Sequence, residues 1–243
     1  MLFLLSFIAC KGDLLANAGE FGRILYTLET DYKIDGFKLT EAKIATGYPQ
    51  RISASLTPSG WKMVGDEPFS VYHVSADEDN LVVDSESLLD GEVGVPGFTV
   101  QGNAAGSFTI ESKLQDEIVD QIALNFVVPD KVSLLSWVRG PNTEEFGEEE
   151  GDNIKISVGS QAAFIPIPQF EGERIIGDLE VEISIDPPEA AVEGYNIESV
   201  QEGGVVASSN PPSVYFVQKG EVEVCAKDVV NEIEDSCQKF TVE

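Results

Sequence analysis

Apolar and polar residues alternate over many short stretches of this chain. Valine, isoleucine, leucine, phenylalanine and alanine recur at every second position in residues 108–110, 121–128 and 222–226. A period of two places successive side chains on opposite faces of a strand, and no long window keeps the 3.6-residue period of a helix. Clusters of turn-forming residues, such as Asn210-Pro211-Pro212, separate these stretches. The pattern predicts short strands that each bury one face.

The two halves of the chain are similar in sequence. Residues 106–113 correspond to residues 220–227 at an offset of 114, and this offset continued to the end of the chain places Phe126 over Phe240. Upstream, Gly47 falls over Gly159 and His73 over Ile183. Self-similarity at this separation predicts tandem copies of one domain of about 115 residues, not a short-period solenoid.

About seven short strands per copy, each with one apolar face, are typical of an antiparallel β-sandwich. We therefore predict an all-β protein with two tandem sandwiches. The expected organisation is a signal or lipobox segment and tether over residues 1–20, domain 1 over residues 21–129 and domain 2 over residues 130–243.

The last predicted hairpin carries a family resemblance. A glycine, alternating apolar residues, an acidic loop and a final strand ending Phe-x-Val follow one another; in the second copy these are Gly220, Val222, Val224, residues 228–235, Phe240 and Val242. This arrangement resembles the last hairpin of bacterial immunoglobulin-like domains, and the resemblance covers both copies. It implies immunoglobulin-like sandwiches and a surface or extracellular setting, but no particular ligand.

The chain begins with ten residues that are almost all apolar and end at Cys10, followed by Lys11-Gly12-Asp13. This run is shorter than the roughly 20 apolar residues of a membrane-spanning helix, but it matches a secretory core that ends at a small residue. Phe7-Ile8-Ala9-Cys10 resembles the lipobox of bacterial lipoproteins, which implies lipidation of Cys10 and a lipid anchor in the cell envelope, at the outer membrane or cell surface. The alternative is a first β-strand or a buried leader. Without the anchor, the protein would be secreted or periplasmic.

One register of the last hairpin satisfies several requirements together. If the apolar residues of both strands face inward, Cys225 and Cys237 face outward and lie opposite each other. The same register sets Glu223 opposite Lys239, an oppositely charged cross-strand pair. We therefore predict a disulfide between the two cysteines.

This disulfide suits an oxidising compartment, and the alternative is two free thiols in a cytosolic protein. It is expected to contribute roughly 2 to 3 kcal/mol. The first copy has Glu111 and Ala123 at the offset positions, so the bond is not essential to the fold.

The charge of the chain restricts its partners. Its 43 acidic and 15 basic residues give a formal net charge of −28, which repels phosphate backbones and argues against nucleic-acid binding. The single histidine, His73, is expected to be half-buried in a strand. No nucleophile elbow, P-loop, zinc-protease or dinucleotide motif is present in the sequence, so an enzyme is not expected.

Acidic residues cluster in several predicted loops, two of which contain Asp120 and Asp228. The largest cluster offers candidate calcium ligands: Glu144, Glu145, Glu148, Glu149, Glu150 and Asp152. Carboxylate oxygens are ligands that Ca²⁺ prefers, although the spacing is not that of an EF-hand. The alternative is a solvated acidic surface. Apart from this candidate calcium site, no cofactor is expected.

Trp61 lies among turn residues in the segment 58–62 and is a candidate contact for a sugar or a protein. The alternative is packing over the end of a sandwich. The sequence as a whole favours an exported lipoprotein that acts as a non-catalytic binding, adhesion or spacer module, with an unknown surface protein or glycan as partner. An accessory subunit of an envelope complex and a calcium-dependent carbohydrate-binding module are the alternatives.

Overall fold

A computed structural model of the 243-residue chain describes most of the strand-forming sequence. The described residues are 14–30, 32, 38–59, 72–75, 79–84, 97–114, 117–142, 147–149, 153–177, 179–193, 200–201, 204–205, 213–231, 233 and 236–243. Most of them lie in β-strands, and one short 3-10 helix is formed by Pro188–Ala190. The predicted fold class, all-β with tandem immunoglobulin-like sandwiches, is confirmed.

The described chain divides into two compact units. The N-terminal unit consists of residues 14–129 together with residues 170–178, and the C-terminal unit consists of residues 130–169 and 179–243. Among the described residues, each unit contains two main sheets of mostly antiparallel strands, and the C-terminal unit also contains a two-stranded sheet.

In the N-terminal unit one sheet has the strand order β1-β2-β4-β7-β6 and the other has the order β3-β9-β8-β5. The strands are β1 (Leu14–Ala18), β2 (Ile24–Glu29), β3 (Lys43–Ala45), β4 (Gln50–Leu56), β5 (Tyr72–Ser75), β6 (Leu81–Asp84), β7 (Gly97–Gly102), β8 (Gly106–Leu114) and β9 (Glu117–Val127).

In the C-terminal unit one sheet has the order β11-β10-β13-β19-β16 and the other the order β12-β21-β20-β15, and β17 and β18 pair with each other. The short strand β14 (Glu173–Arg174) lies in the segment 170–178. The strands of the C-terminal unit are β10 (Lys131–Arg139), β11 (Gly147–Glu149), β12 (Asn153–Ile156), β13 (Gln161–Phe170), β15 (Val181–Asp186), β16 (Ala191–Glu193), β17 (Val200–Gln201), β18 (Gly204–Val205), β19 (Ser213–Phe216), β20 (Gly220–Asp228) and β21 (Ser236–Val242).

The apolar side chains of the period-two pattern fill the space between the sheets of each unit. In the N-terminal unit Tyr26 and Phe98 are fully buried and meet edge to face with ring centroids 6.2 Å apart. In the C-terminal unit Phe240 contacts Phe216 at 4.8 Å and Phe164 at 6.0 Å between centroids. Burial of such large rings is a main contribution to the stability of a small sandwich.

The two units repeat one design. In each, a short strand pairs in parallel with the last strand: β3 with β9, and β12 with β21. The glycine that follows the short strand has positive φ in both cases, 87° at Gly47 and 86° at Gly159. Both positions need a left-handed backbone, which glycine adopts without steric cost, and this explains the glycine match in the sequence.

The register of the last hairpin corrects the predicted alignment of the repeat. Gly106 pairs with Phe126, whereas Gly220 pairs with Val242. The offset of 114 therefore holds for the first strand of the hairpin but becomes 116 for the second. The physical reason is that the connection between the two strands of the hairpin is two residues longer in the second copy than in the first.

The equivalence predicted for His73 also changes. In β5, Val74 pairs with Ser112, which corresponds to Ala226, the partner of Ile183 in β15. Val74 rather than His73 is therefore the counterpart of Ile183. The predicted alignment of β5 with β15 was therefore wrong by one residue, because the chain ahead of the strand differs in length between the two copies. A shift of one residue moves every side chain of a strand to the other face.

The expectation that residues 14–20 form a tether is corrected for most of that segment. Leu14–Ala18 form β1, which pairs along its length with β2, from Leu14 opposite Glu29 to Ala18 opposite Leu25. Leu15 is completely buried. A segment with an apolar residue at a core position lowers the free energy of folding by joining the sheet, so it is part of the N-terminal unit.

Candidate functional sites

The last hairpin carries a disulfide on its outer face. Cys225 on β20 and Cys237 on β21 lie opposite each other with Cα atoms 4.0 Å apart, and the structure joins their sulfur atoms. Glu223 and Lys239 form the next outward pair, with a carboxylate oxygen 3.7 Å from Nζ. The register predicted from the sequence is the one found. The core side chains of both strands lie on the opposite face.

These residues also form a group with metal-ligating atoms. The ligand atoms of Glu223, Cys225 and Cys237 all lie within 4.8 Å of one another. The thiolate is the form of cysteine that binds metals, and both sulfur atoms are engaged in the disulfide. The oxidised hairpin is therefore a covalent crosslink and not a metal site.

The carboxylate of Asp120 accepts several hydrogen bonds from the backbone. It is fully buried, and its oxygens accept hydrogen bonds from the backbone N–H groups of Phe21, Arg23 and Ile24 at 2.7–2.8 Å, and from that of Gln121 at 2.9 Å. Charge-assisted bonds of this kind are stronger than neutral ones. Asp120 thus fixes the turn between β1 and β2.

The β1–β2 turn presents an exposed aromatic ring held in place by this network. Phe21 is 48% exposed, and the guanidinium of Arg23 lies 5.4 Å from the centre of its ring. Arg23 is fixed in turn by a hydrogen bond to the carbonyl of Val119 at 3.1 Å. Gly19 allows the close approach, since a Cβ at that position would collide with the Asp120 carboxyl group.

Asp228 has a related role in the C-terminal unit. It is fully buried, and its carboxylate accepts hydrogen bonds from the N–H groups of Val230 at 2.8 Å and Asn231 at 3.2 Å. From the sequence, Asp120 and Asp228 are expected in acidic loops of the kind that are solvated or bind calcium. For these two residues that interpretation is wrong, because their oxygens are occupied by donors of the turn.

A buried tyrosine joins residues 170–178 to the rest of the N-terminal unit. The hydroxyl of Tyr32 donates to the carbonyl of Ile175 at 2.7 Å and accepts from the N–H of Gly177 at 3.0 Å. Lys43 forms an ion pair with Glu173 at 3.0 Å. The hydrogen bond that Lys43 donates to the Glu173 carboxylate is the main reason that the pKa of Lys43 lies above its ordinary value.

A shallow groove of about 250 Å³ lies on the N-terminal unit. It is open to solvent and lined by Asn17, Glu20, Thr40, Thr109 and Gln121, among others. The lining is mixed, with polar amides and hydroxyls beside small apolar groups. The groove could hold only a small ligand, since binding pockets typically have volumes of about 300 to 1,000 Å³.

Several predicted site residues lie outside the described residues: Cys10, Trp61, Glu144, Glu145, Glu150 and Asp152. Glu148 and Glu149 belong to β11, where they pair with Trp137 and Ser136 of β10. The lipid anchor, the calcium site and the contact role of Trp61 stay predictions. In the described part of the chain, no helix is long and apolar enough to cross a membrane.

Tyr48, another loop aromatic of the sequence, is only 3% exposed, so it packs inside the fold and offers no platform. Sequence reasoning did not identify Tyr32, Asp120 or Ile176 as organising residues. The pattern around Asp120 held one usable signal, because an aspartate within an otherwise apolar stretch of a buried strand needs partners.

No protein-family model matches this chain, and no curated protein matches it. Among solved structures it is similar to domains 5–6 of the S-layer protein SbsC, with 14% identity, a TM-score of 0.33 and coverage of 95% of this chain and 99% of that one.

Two further matches are the Escherichia coli adhesin FdeC and the D0-D1 domain of intimin. FdeC has 13% identity and a TM-score of 0.27, over 83% of this chain and 62% of that one. Intimin has 11% identity and a TM-score of 0.26, over 83% and 95% respectively. Scores and identities are low, and the function proposed below rests on features of the chain itself.

Proposed function

We propose that this chain is an exported cell-surface protein whose two immunoglobulin-like units act as a non-catalytic binding, adhesion or spacer module. The observation that carries the proposal is the Cys225–Cys237 disulfide on the outer face of a sandwich whose core is already closed on the other face. A crosslink at an accessible surface position persists in oxidising compartments and is reduced in the cytosol. It therefore supports export.

The surface chemistry supports the same role. A net charge of −28 keeps an exported module soluble and resists non-specific association. The turn at Phe21, with an exposed ring beside Arg23 and a backbone fixed by Asp120, has the composition of a contact site, since aromatic residues and arginine dominate binding hot spots. Loops and turns held by a rigid sandwich are the usual places for such contacts.

The lipid anchor at Cys10 is part of the proposal and is tested separately. Producing cells are labelled with a palmitate analogue, and the wild-type chain is compared with a Cys10→Ser variant. Label on the wild type alone supports the anchor. Equal label on both chains, or label on neither, removes the anchor but leaves export open.

Export is tested through the disulfide and through access from outside. Intact cells are treated with a membrane-impermeant protease, and cysteines are trapped in situ with a maleimide of known mass. We expect cleavage of the protein on intact cells and no maleimide on Cys225 or Cys237. A protected protein with two modified thiols would contradict the proposal.

The binding role is tested with Phe21→Ser and, as a matched control, Leu25→Ser. Leu25 is also exposed, at 36%, and lies on β2 outside the turn. Attachment or aggregation of cells producing each variant is compared with the wild type. Loss with Phe21→Ser alone supports the turn as a contact site, whereas wild-type attachment by both variants argues against it.

A further inference from the structure

The edge of the second sheet in the N-terminal unit is extended by one more stretch of chain. Ile176 forms a parallel bridge with Ile44 of β3. The N–H of Ala45 donates to the Ile176 carbonyl at 2.7 Å, and the Ile176 N–H donates to the Lys43 carbonyl at 2.9 Å. Residues 170–178 thus add to β3 as a strand adds to a sheet edge.

The side chains of the added segment are held as firmly as its backbone. Ile175 and Ile176 are 2% and 1% exposed, and the Tyr32 hydroxyl binds the backbone on either side of Ile176. Glu173 pairs with Lys43. The edge therefore recognises three features together: an extended backbone, two adjacent apolar residues, and an acidic residue three positions before the second of them.

The C-terminal unit has the same edge at β12. Lys155 and Ile156 stand at the positions of Lys43 and Ile44, at the offset of 112 that also relates Gly47 to Gly159. The hydrogen bonds to the last strand match as well. Thr46 N–H donates to the Val127 carbonyl at 2.9 Å, and Val158 N–H donates to the Glu243 carbonyl at 3.2 Å.

This match determines which backbone groups of β12 point away from the sheet. The Ile156 carbonyl and Val158 N–H bond to Glu243, so the alternation of a strand directs the Lys155 carbonyl and the Ser157 N–H outward. These are the counterparts of the two groups that bind Ile176. Within the residues that the structure describes, neither takes part in a hydrogen bond.

A short edge strand with a lysine is also a common protection against unwanted strand pairing. The structure of the N-terminal unit is evidence against a protective role of the lysine in this edge strand. Lys43 occupies the same position, and it does not prevent strand addition but forms the ion pair with Glu173. A lysine at this position therefore selects an acidic segment.

We propose that the β12 edge is a strand-addition site for a segment with the chemistry of Phe170–Asp178, presented by another immunoglobulin-like unit. The incoming segment runs parallel to β12, its backbone bonds Ser157 N–H and the Lys155 carbonyl, and its acidic residue pairs with Lys155. This site depends only on the edge geometry and goes beyond the proposed surface function.

The test uses the full chain and a labelled, end-blocked peptide with the sequence of residues 170–178. Because protein and peptide are both acidic, the titration is made at about 0.3 M salt, where long-range repulsion is screened. We expect saturable binding by fluorescence anisotropy and slower exchange of the Ser157 amide, with the Ala45 amide unchanged.

Ser157→Pro removes the outward N–H, and proline is tolerated at an edge strand. We expect it to weaken binding by about tenfold or more, since about 1.4 kcal/mol corresponds to tenfold. Ser157→Ala keeps the N–H and should bind as the wild type does. If Ser157→Pro does not fold, Lys155→Glu replaces it, and a peptide with Glu173→Lys should restore binding to that variant. Absence of saturable binding, equal binding to Ser157→Pro, or perturbation of Ala45 instead of Ser157 would overturn the proposal.

Discussion

Cys225 and Cys237 lie directly opposite each other, and their counterparts in the N-terminal unit are Glu111 and Gln121, which pair on β8 and β9. Sequence alignment at a constant offset placed Ala123 there instead. The pairing shows that a polar pair and a disulfide occupy the same outward position on one hairpin design. The crosslink is therefore an addition to a hairpin whose core is already formed.

Removal of the crosslink should lower stability without loss of the fold. For the Cys225→Ser, Cys237→Ser double variant we expect the C-terminal unit to lose about 3 kcal/mol, since loop closure over the 12-residue separation contributes about that much. Urea unfolding and amide exchange in β20 measure this loss of unfolding free energy. The matched control, Glu111→Ser with Gln121→Ser, should change stability by under about 1 kcal/mol. An unfolded double variant would contradict the expectation.

Asp120 should be among the most sensitive polar positions. Asp120→Ala leaves several N–H groups of the β1–β2 turn without an acceptor, and we expect the N-terminal unit to lose about 3 kcal/mol or more. Urea unfolding and amide exchange at Ile24 measure the effect. Asp228→Ala is the comparison, and its loss should be smaller because the hydrogen bonds from the Val230 and Asn231 N–H groups that it removes lie within one turn. Equal losses would show that the long-range bonds of Asp120 contribute little.

Tyr32→Phe tests the attachment of residues 170–178. The variant keeps the ring but removes the hydroxyl that binds Ile175 and Gly177, at an expected cost of about 1 to 3 kcal/mol. Amide exchange should accelerate at Gly177 and at Ala45, whose N–H bonds Ile176. Tyr215→Phe, a half-buried tyrosine of β19, is the control and should leave both amides unchanged. Unchanged exchange in Tyr32→Phe would show that the hydroxyl does not hold the segment.

Lys43 should give the N-terminal unit a pH dependence in the alkaline range. Its pKa in the folded state is raised above the ordinary 10.5, chiefly by the hydrogen bond that Lys43 donates to Glu173. The stabilisation is therefore complete below the unfolded-state pKa and is lost as pH rises through the folded-state pKa. The difference in unfolding free energy between wild type and Lys43→Gln, measured from pH 9 upward, should shrink above about pH 10.5. A difference that stays constant to higher pH would contradict this.

Features that depend on residues close together in the chain could be predicted from the pattern of side chains. Alternation identified strands such as β20 and β21 and their buried faces. The register of this last hairpin followed because its apolar residues, the pair Glu223 with Lys239, and the two cysteines all required the same pairing. Short-range features of this kind are readable because a strand has a fixed period and a hairpin joins residues close in sequence.

Contacts between residues far apart in the chain became visible only in the folded protein. Asp120 bonds a turn 96 to 99 residues earlier in the chain, and Tyr32 bonds residues 143 to 145 positions later. No local period encodes such pairings, because they arise when two sheets close and edges find their neighbours. The joining of residues 14–18 to the first sheet, and of Ile176 to the edge of β3, was settled by the burial and hydrogen bonds gained there.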